Sequence, residues 1–192
     1  MDYKSLSRSQ KIKTCRNLIV KYKMKPLAFE GGFYTEIFRS GIMLDNDSLQ
    51  GEYHKRKSNG PDEFGGLHYR SIGSSILFMI TWDCFSKLHR LPTEEIYNFY
   101  FGDPVNMINI TEKSSISFTI LGNNIEEGEK FYHIVPKNCW QAAYLVEGGI
   151  FAMMGTVMSP GFERSDYEGA SRHRSSLLAE HPEHSRLLNK LI

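Results

Sequence analysis

Three side chains of this 192-residue sequence have types that can move a proton or hold a small polar molecule: His89, Glu95 and Gln141. Imidazole titrates near neutrality, so His89 can take up or release a proton, and a carboxylate at Glu95 can orient or charge-stabilise it. The Gln141 amide supplies both a donor and an acceptor. Period-two alternation along strands sets their company. With Glu95 facing inward, Tyr97 and Phe99 do so too, while Ile96, Asn98 and Tyr100 face outward; with Gln141 inward, Cys139 and Ala143 follow. The implied pocket is aromatic with few polar groups, the character of small-molecule sites. Its catalytic candidates are His89, Glu95 and Tyr97, the last as a proton donor. Its ligand-binding candidates are Phe99, Cys139, Gln141 and Arg39, whose planar fork suits a carboxylate or phosphate and equally a structural ion pair. Cys139 has no histidine paired with it nearby in sequence, so it reads as a small core residue rather than a nucleophile.

These residues need a β framework. Residues 33–158 form short runs rich in Ile, Val, Phe, Tyr and Thr, punctuated by Gly, Asn, Asp and Pro. Strands are expected at 33–39, 67–72, 75–82, 95–101, 105–110, 115–121, 130–135, 139–146 and 150–158. With tight turns and no crossover helices between them, the sheet is antiparallel, a barrel or sandwich. Ile12, Cys15, Ile19 and Tyr22 recur at helical spacing over 7–24, ahead of Pro26, so a helix opens the chain.

The whole chain reads as a single domain, 1–192, with an N-terminal helical segment at 1–26, a polar insertion at 41–66 and a helical tail at 171–192. The insertion carries the basic run His54-Lys55-Arg56-Lys57, read as a solvated face. Pro182 is expected to split the tail into two short helices, with His181 and His184 on the surface. The Glu30-Gly31-Gly32 turn is not followed by a helix start, so its glycines read as permitting a sharp bend rather than cradling phosphate.

Composition narrows the partners. Lys+Arg of 23 against Asp+Glu of 22 leaves a net charge of +1, too balanced to draw nucleic acid or an acidic membrane over distance. Three scattered cysteines do not make a disulfide framework, and the first residues lack the apolar core of a secretion signal. No apolar run approaches the roughly 20 residues of a membrane helix, so a cytoplasmic location is expected. With 41% hydrophobic residues the core needs no metal to hold it, and any metal would serve chemistry.

The segment around His89 resembles the first cupin motif, G-x5-H-x-H-x3-E-x6-G. His89, Glu95 and Gly102 match it, while Asp83 replaces the opening glycine and Leu91 the second histidine. Against the second motif, G-x5-P-x-G-x2-H-x3-N, Pro136 matches, with Lys130, Asn138, Gln141 and Leu145 at the other positions. The chain is more closely similar to the cupin-five family, nearly end to end. Glu30-Gly31-Gly32-Phe33-Tyr34, Arg39-Ser40, Phe85-Ser86, His89-Arg90, Glu95-Ile96, Phe99-Tyr100, Gly102-Asp103-Pro104, Val135-Pro136, Trp140-Gln141-Ala142, Val157 and Pro160-Gly161-Phe162 carry that resemblance. The family pattern has Trp-His where this chain has Tyr97-Asn98, and the long insertion before Gly66 departs from compact members.

The resemblance implies a mainly β fold, the double-stranded β-helix or jelly roll, with an N-terminal helix and short C-terminal helices. It also implies a dimer in most members, with activity largely unassigned. Typical cupin metal sites use three histidines and a carboxylate; this chain keeps one such histidine, so no cofactor is expected. A divalent metal held weakly by His89, Glu95 and Gln141 is the alternative. Metal-free cupin epimerases work by proton transfer, and an isomerase or epimerase using His89 and Glu95 is the leading expectation. A non-catalytic ligand-binding module and a metal-dependent oxygenase or isomerase stay open beside it. A homodimer is expected, built on an apolar patch of Ile96, Trp140 and Tyr144.

Overall fold

The computed structural model describes residues 3–45, 49 and 69–192. Most of the polar insertion, with its basic run, lies outside the described residues. Helix α1 spans Arg8–Lys21 and starts on a reciprocal cap. Ser7 Oγ accepts the Gln10 N–H at 3.3 Å and Gln10 Oε1 accepts the Ser7 N–H at 2.8 Å, satisfying two otherwise unpaired donors. Its buried stripe is Ile12, Cys15, Leu18 and Ile19. Tyr22, expected on that stripe, instead caps the helix and is exposed.

Among the described residues thirteen strands follow: β1 Lys25–Pro26, β2 Phe33–Arg39, β3 Met43–Asp45, β4 Tyr69–Ser71, β5 Ser74–Thr81, β6 Ser86–Arg90, β7 Glu95–Gly102, β8 Val105–Ile110, β9 Ile116–Leu121, β10 Tyr132–Val135, β11 Trp140–Leu145, β12 Phe151–Met158 and β13 Glu168–Gly169. Every pairing between them is antiparallel. A six-stranded sheet, β1-β2-β5-β12-β7-β10, faces a five-stranded sheet, β13-β6-β11-β8-β9, and β3 pairs with β4 separately. This is the jelly roll that the resemblance implied.

The core between the sheets joins Phe78, Ile80, Tyr97, Phe99 and Met154 from one to Val105, Met107, Leu121 and Ala143 from the other. Along β7 burial alternates as expected, Glu95, Tyr97 and Phe99 in, Ile96 and Tyr100 out. Strand β6 was not expected. The register between β6 and β11 shifts, pairing His89 with Gln141 but Ser86 with Ala143. That irregularity turns Ser86 and His89, three residues apart, toward the same interior while Leu88 packs on the outer side. Strict alternation cannot reveal such a strand.

Each outer face has its own cover. α1 lies over Met79, Phe151 and Met153 of the six-stranded sheet. The tail forms α2, Arg174–Glu180, and α3, Ser185–Leu191, divided at Pro182 as expected. Leu177, Leu188 and Leu191 bury themselves on Ala142 and Trp140 of β11, a contribution of about 1.5–3 kcal/mol per leucine. Two expectations are corrected by this packing. His181, between α2 and Pro182, is 2% exposed and buried rather than on the surface. The patch of Ile96, Trp140 and Tyr144 does not exist as one surface, because the tail covers Trp140 and packs on Tyr144 while Ile96 is on the opposite sheet. Among the described residues no helix is long and apolar enough to cross a membrane.

Candidate functional site

A cavity of about 350 Å³ opens beside the inner face of the six-stranded sheet. Leu27, Phe29, Tyr34, Ile76, Met158 and Phe162 give it apolar walls, and two carboxyl side chains, Glu30 and Glu95, border the same space. Glu36, Arg39, Glu163 and Arg164, all more exposed, form its charged outer part.

Glu30 reaches the barrel because of the two glycines behind it. Gly31 and Gly32 have φ of 108° and 76°, and a Cβ on Gly31 would lie 2.1 Å from the Phe85 carbonyl oxygen. Only glycine allows so close a turn. The backbone then locks: the Lys87 N–H donates to the Glu30 carbonyl at 2.8 Å, and the Ser86 hydroxyl donates to Glu30 Oε1 at 2.7 Å. The Glu30 side chain is 13% exposed, and burial pushes its carboxyl up to about 7, against a weaker downward pull from Ser86.

Glu95 starts β7, on the sheet opposite Gln141. Gln141 Nε2 donates to Glu95 Oε2 at 2.8 Å, which joins the two sheets across the barrel. Burial raises the Glu95 carboxyl, and so does the neighbouring Glu30 charge; His89, Thr156 and Gln141 oppose them. Two carboxyls in one desolvated site cannot both ionise cheaply, so they titrate as a pair that retains a proton between them. The Tyr97 hydroxyl interacts with both Glu95 and Ser86, and burial first, then the two carboxylates, hold it protonated. Ser86 thus bonds Glu30 directly, and the Tyr97 hydroxyl lies close enough to Ser86 and Glu95 to interact with both, so two hydroxyls stand between the carboxyls.

His89 is 1% exposed and stands behind the cavity wall. Its Nδ1–H donates to the Lys87 carbonyl at 2.7 Å, leaving the Nε2 lone pair 3.8 Å from Glu30 Oε2. Burial lowers its pKa, only partly offset by Glu95, so the ring is a neutral neighbour of the carboxyl pair. Its plane is held by stacking on Tyr167, with centroids 5.0 Å apart.

The sequence candidates thus divide. His89, Glu95, Tyr97 and Gln141 come together, with Glu95 bordering the cavity. Arg39 borders it too, but its guanidinium binds Glu36, Glu163 and the Phe162 carbonyl. Phe99 packs in the core between the sheets and does not border the cavity. Cys139 is also away from it; its thiol donates to the Ile110 carbonyl at 3.2 Å and is pushed up to about 11 by burial, which leaves it a poor nucleophile. Sequence reasoning missed Glu30, Ser86 and Arg164 as site residues. Glu30 was in view only as part of a bend.

The donor set does not fit the metal centre of the wider superfamily. Leu91 has no ligating atom, one imidazole remains, and Gln141 gives its Nε2 to Glu95, which leaves only a neutral amide oxygen, Oε1, buried and without a hydrogen-bond partner, where the superfamily has an imidazole. Among the described residues no group of three or more His, Cys, Asp or Glu side chains is placed to hold a metal ion.

A family model described as Cupin superfamily (DUF985) matches residues 16–170. A crystal structure of a protein from Shewanella oneidensis aligns with a TM-score of 0.71 and 27% identity, over 91% of this chain and 94% of that one. A hypothetical protein from Leishmania major aligns with a TM-score of 0.73 and 22% identity, over 92% and 97%. Oxalate decarboxylase from Bacillus subtilis aligns at a TM-score of 0.45 and 12% identity, over 88% of this chain and 38% of that one, a likeness too weak to build on. No curated protein matches the chain.

Proposed function

This chain belongs to that cupin family, and on that premise we propose that it is a small-molecule enzyme of the proton-transfer kind, an isomerase or epimerase working without a metal. The observation that carries the reading is the pair of buried carboxyls, Glu30 and Glu95, bordering one apolar-walled cavity with the Ser86 and Tyr97 hydroxyls between them. A carboxyl poised at about 7 is ionised in part of the molecules at neutral pH, as a general base requires.

In this reading the ionised carboxylate removes a proton from a carbon next to a carbonyl, and the electron pair moves onto the carbonyl oxygen as an enolate. The proton returns to the opposite face, giving an epimer, or to a neighbouring atom, giving a structural isomer; no oxidant or reductant enters. With Glu30 protonated, donation can run from Glu30 to Ser86, to Tyr97, to an ionised Glu95; with Glu95 protonated, it runs back. The two hydroxyls reset the pair without releasing the proton to bulk water. His89 acts on this pair as a positioning residue, which moves the expected base from the imidazole to the carboxyls.

The test is deuterium exchange followed by NMR. Wild-type protein in deuterated water is incubated with small carbon acids such as pyruvate and dihydroxyacetone phosphate. Catalysed wash-in is expected, falling about a hundred-fold or more in Glu30→Gln and Glu95→Gln. Binding of such compounds without any exchange would instead favour a non-catalytic ligand-binding module. A homodimer would use the outer row of Ile134, Ile96 and Val157, adjacent across β10, β7 and β12 and at least a third exposed; light scattering reads it directly.

A further inference from the structure

The cavity carries two arginines, and their donors are in different states. Arg39 directs Nε and both terminal nitrogens at Glu36, Glu163 and the Phe162 carbonyl, at 2.9 to 3.2 Å, so its fork is closed. Arg164 is held by aromatic rings. Its guanidinium carbon lies 3.9 Å from the Phe29 ring centroid and 5.1 Å from that of Tyr167. Those rings are fixed in turn, meeting edge to face at 4.7 Å, with the Tyr167 hydroxyl donating to the Phe29 carbonyl at 3.1 Å. The adjacent carboxylate, Glu163, turns to Arg39 instead. The Arg164 carbonyl accepts from the Tyr167 N–H, but among the described residues its guanidinium has no hydrogen-bond or ion-pair partner. Contact with the rings holds the guanidinium and leaves its N–H groups without a protein partner, so that its planar fork can take an oxyanion bidentately.

We propose that Arg164 anchors the anionic group of the ligand, so that the cavity takes small organic oxyanions, carboxylates or phosphate esters, with the remainder of the molecule extending between the apolar walls toward Glu30 and Glu95. The inference rests on the cavity of the preceding reading and names its substrate class. It also separates two tasks: the outer arginine binds, and the inner carboxyls react.

The probes are phenylacetate, phenyl phosphate and the neutral 2-phenylethanol, titrated into the protein by calorimetry at low and high salt. Wild-type protein is expected to bind at least one of the two anions at millimolar concentration or below, more weakly as salt rises. Arg164→Gln should weaken that binding about ten-fold or more, Arg164→Lys by less, and neither should change the weak binding of 2-phenylethanol. Which anion responds tells carboxylate from phosphate ester. Failure of the wild type to bind either anion, or equal anion affinity in Arg164→Gln, overturns the proposal. Glu30→Gln should retain anion binding; if it does so while deuterium exchange never occurs, the proton-transfer reading fails and the anion site stands.

Discussion

Asp166 and Glu95 are buried to nearly the same degree, 0% and 6% exposed, yet they stand in opposite electrostatic settings. Asp166 accepts from both terminal nitrogens of Arg70, at 2.5 and 2.9 Å, and from the Glu163 N–H at 2.9 Å. Glu95 has an amide, hydroxyls and a neutral imidazole around it, and a second carboxyl, Glu30, close enough to raise it. One burial is neutralised by a cation and fixes a loop. The other leaves a proton in the interior that has to sit on one carboxyl or its neighbour. Burial alone does not mark a functional carboxylate; burial with no cation to balance it, in the wall of a cavity, does.

The largest effect should come from breaking the neutralised pair. Asp166→Ala strands the Arg70 guanidinium in the interior and should cost about 3–5 kcal/mol of stability, a large share of what a domain of this size has. Urea unfolding measures it. A loss under about 1 kcal/mol would erase the distinction between the two sites.

Glu30→Gln should move stability the other way. Because the folded-state pKa of Glu30 is raised, from 4.5 to about 7, its contribution is fully present below 4.5 and is lost as pH rises through about 7. The wild type should therefore lose about 3 kcal/mol across that window from this group, and the glutamine variant should not. The groups that face Glu30 are Ser86 and His89 on β6, Glu95 and Tyr97 on β7, and Tyr167 after β12. None supplies a positive charge while His89 stays neutral. At about pH 8 Glu30→Gln should be the more stable protein and the inactive one, the trade expected when function requires a strained charge. Parallel pH profiles for the two proteins would contradict this.

The strands and their facing were legible in the sequence where alternation is regular. β7 shows Glu95, Tyr97 and Phe99 inward as the pattern demands. Legibility failed where the register breaks: β6 carries Ser86 and His89 to one interior across an irregular pairing, with a buried leucine between them on the other side. Glu30 was hidden for a related reason. A glutamate before two glycines looks like a turn, and only the approach of the Phe85 carbonyl and the Lys87 amide shows that the turn delivers a carboxyl to the cavity. Arg39 and Arg164 could not be told apart by residue type, because what differs between them is which carboxylate is already in reach. The leucine stripe of the tail was visible, but its docking on Trp140 depends on how the chain returns over β11.

The smallest effect belongs to the outer part of the cavity. Arg39 is partly exposed, at 23%, and its pairs with Glu36 and Glu163 are open to solvent, so Arg39→Ala should cost only about 1 kcal/mol or less and lower the melting temperature slightly. A loss as large as that of Asp166→Ala would place Arg39 among the neutralised interior pairs.

The central claim is that Glu30 keeps a proton near neutrality because the barrel gives it no cation. Titration of the Glu30 side-chain carboxyl by carbon-13 NMR, assigned by its disappearance in Glu30→Gln, tests this without a substrate. The account predicts a midpoint near 7, with a second inflection at Glu95 that changes when Glu30 is replaced. A Glu30 midpoint at the ordinary carboxylate value of 4.5, unaffected by its neighbour, would contradict it.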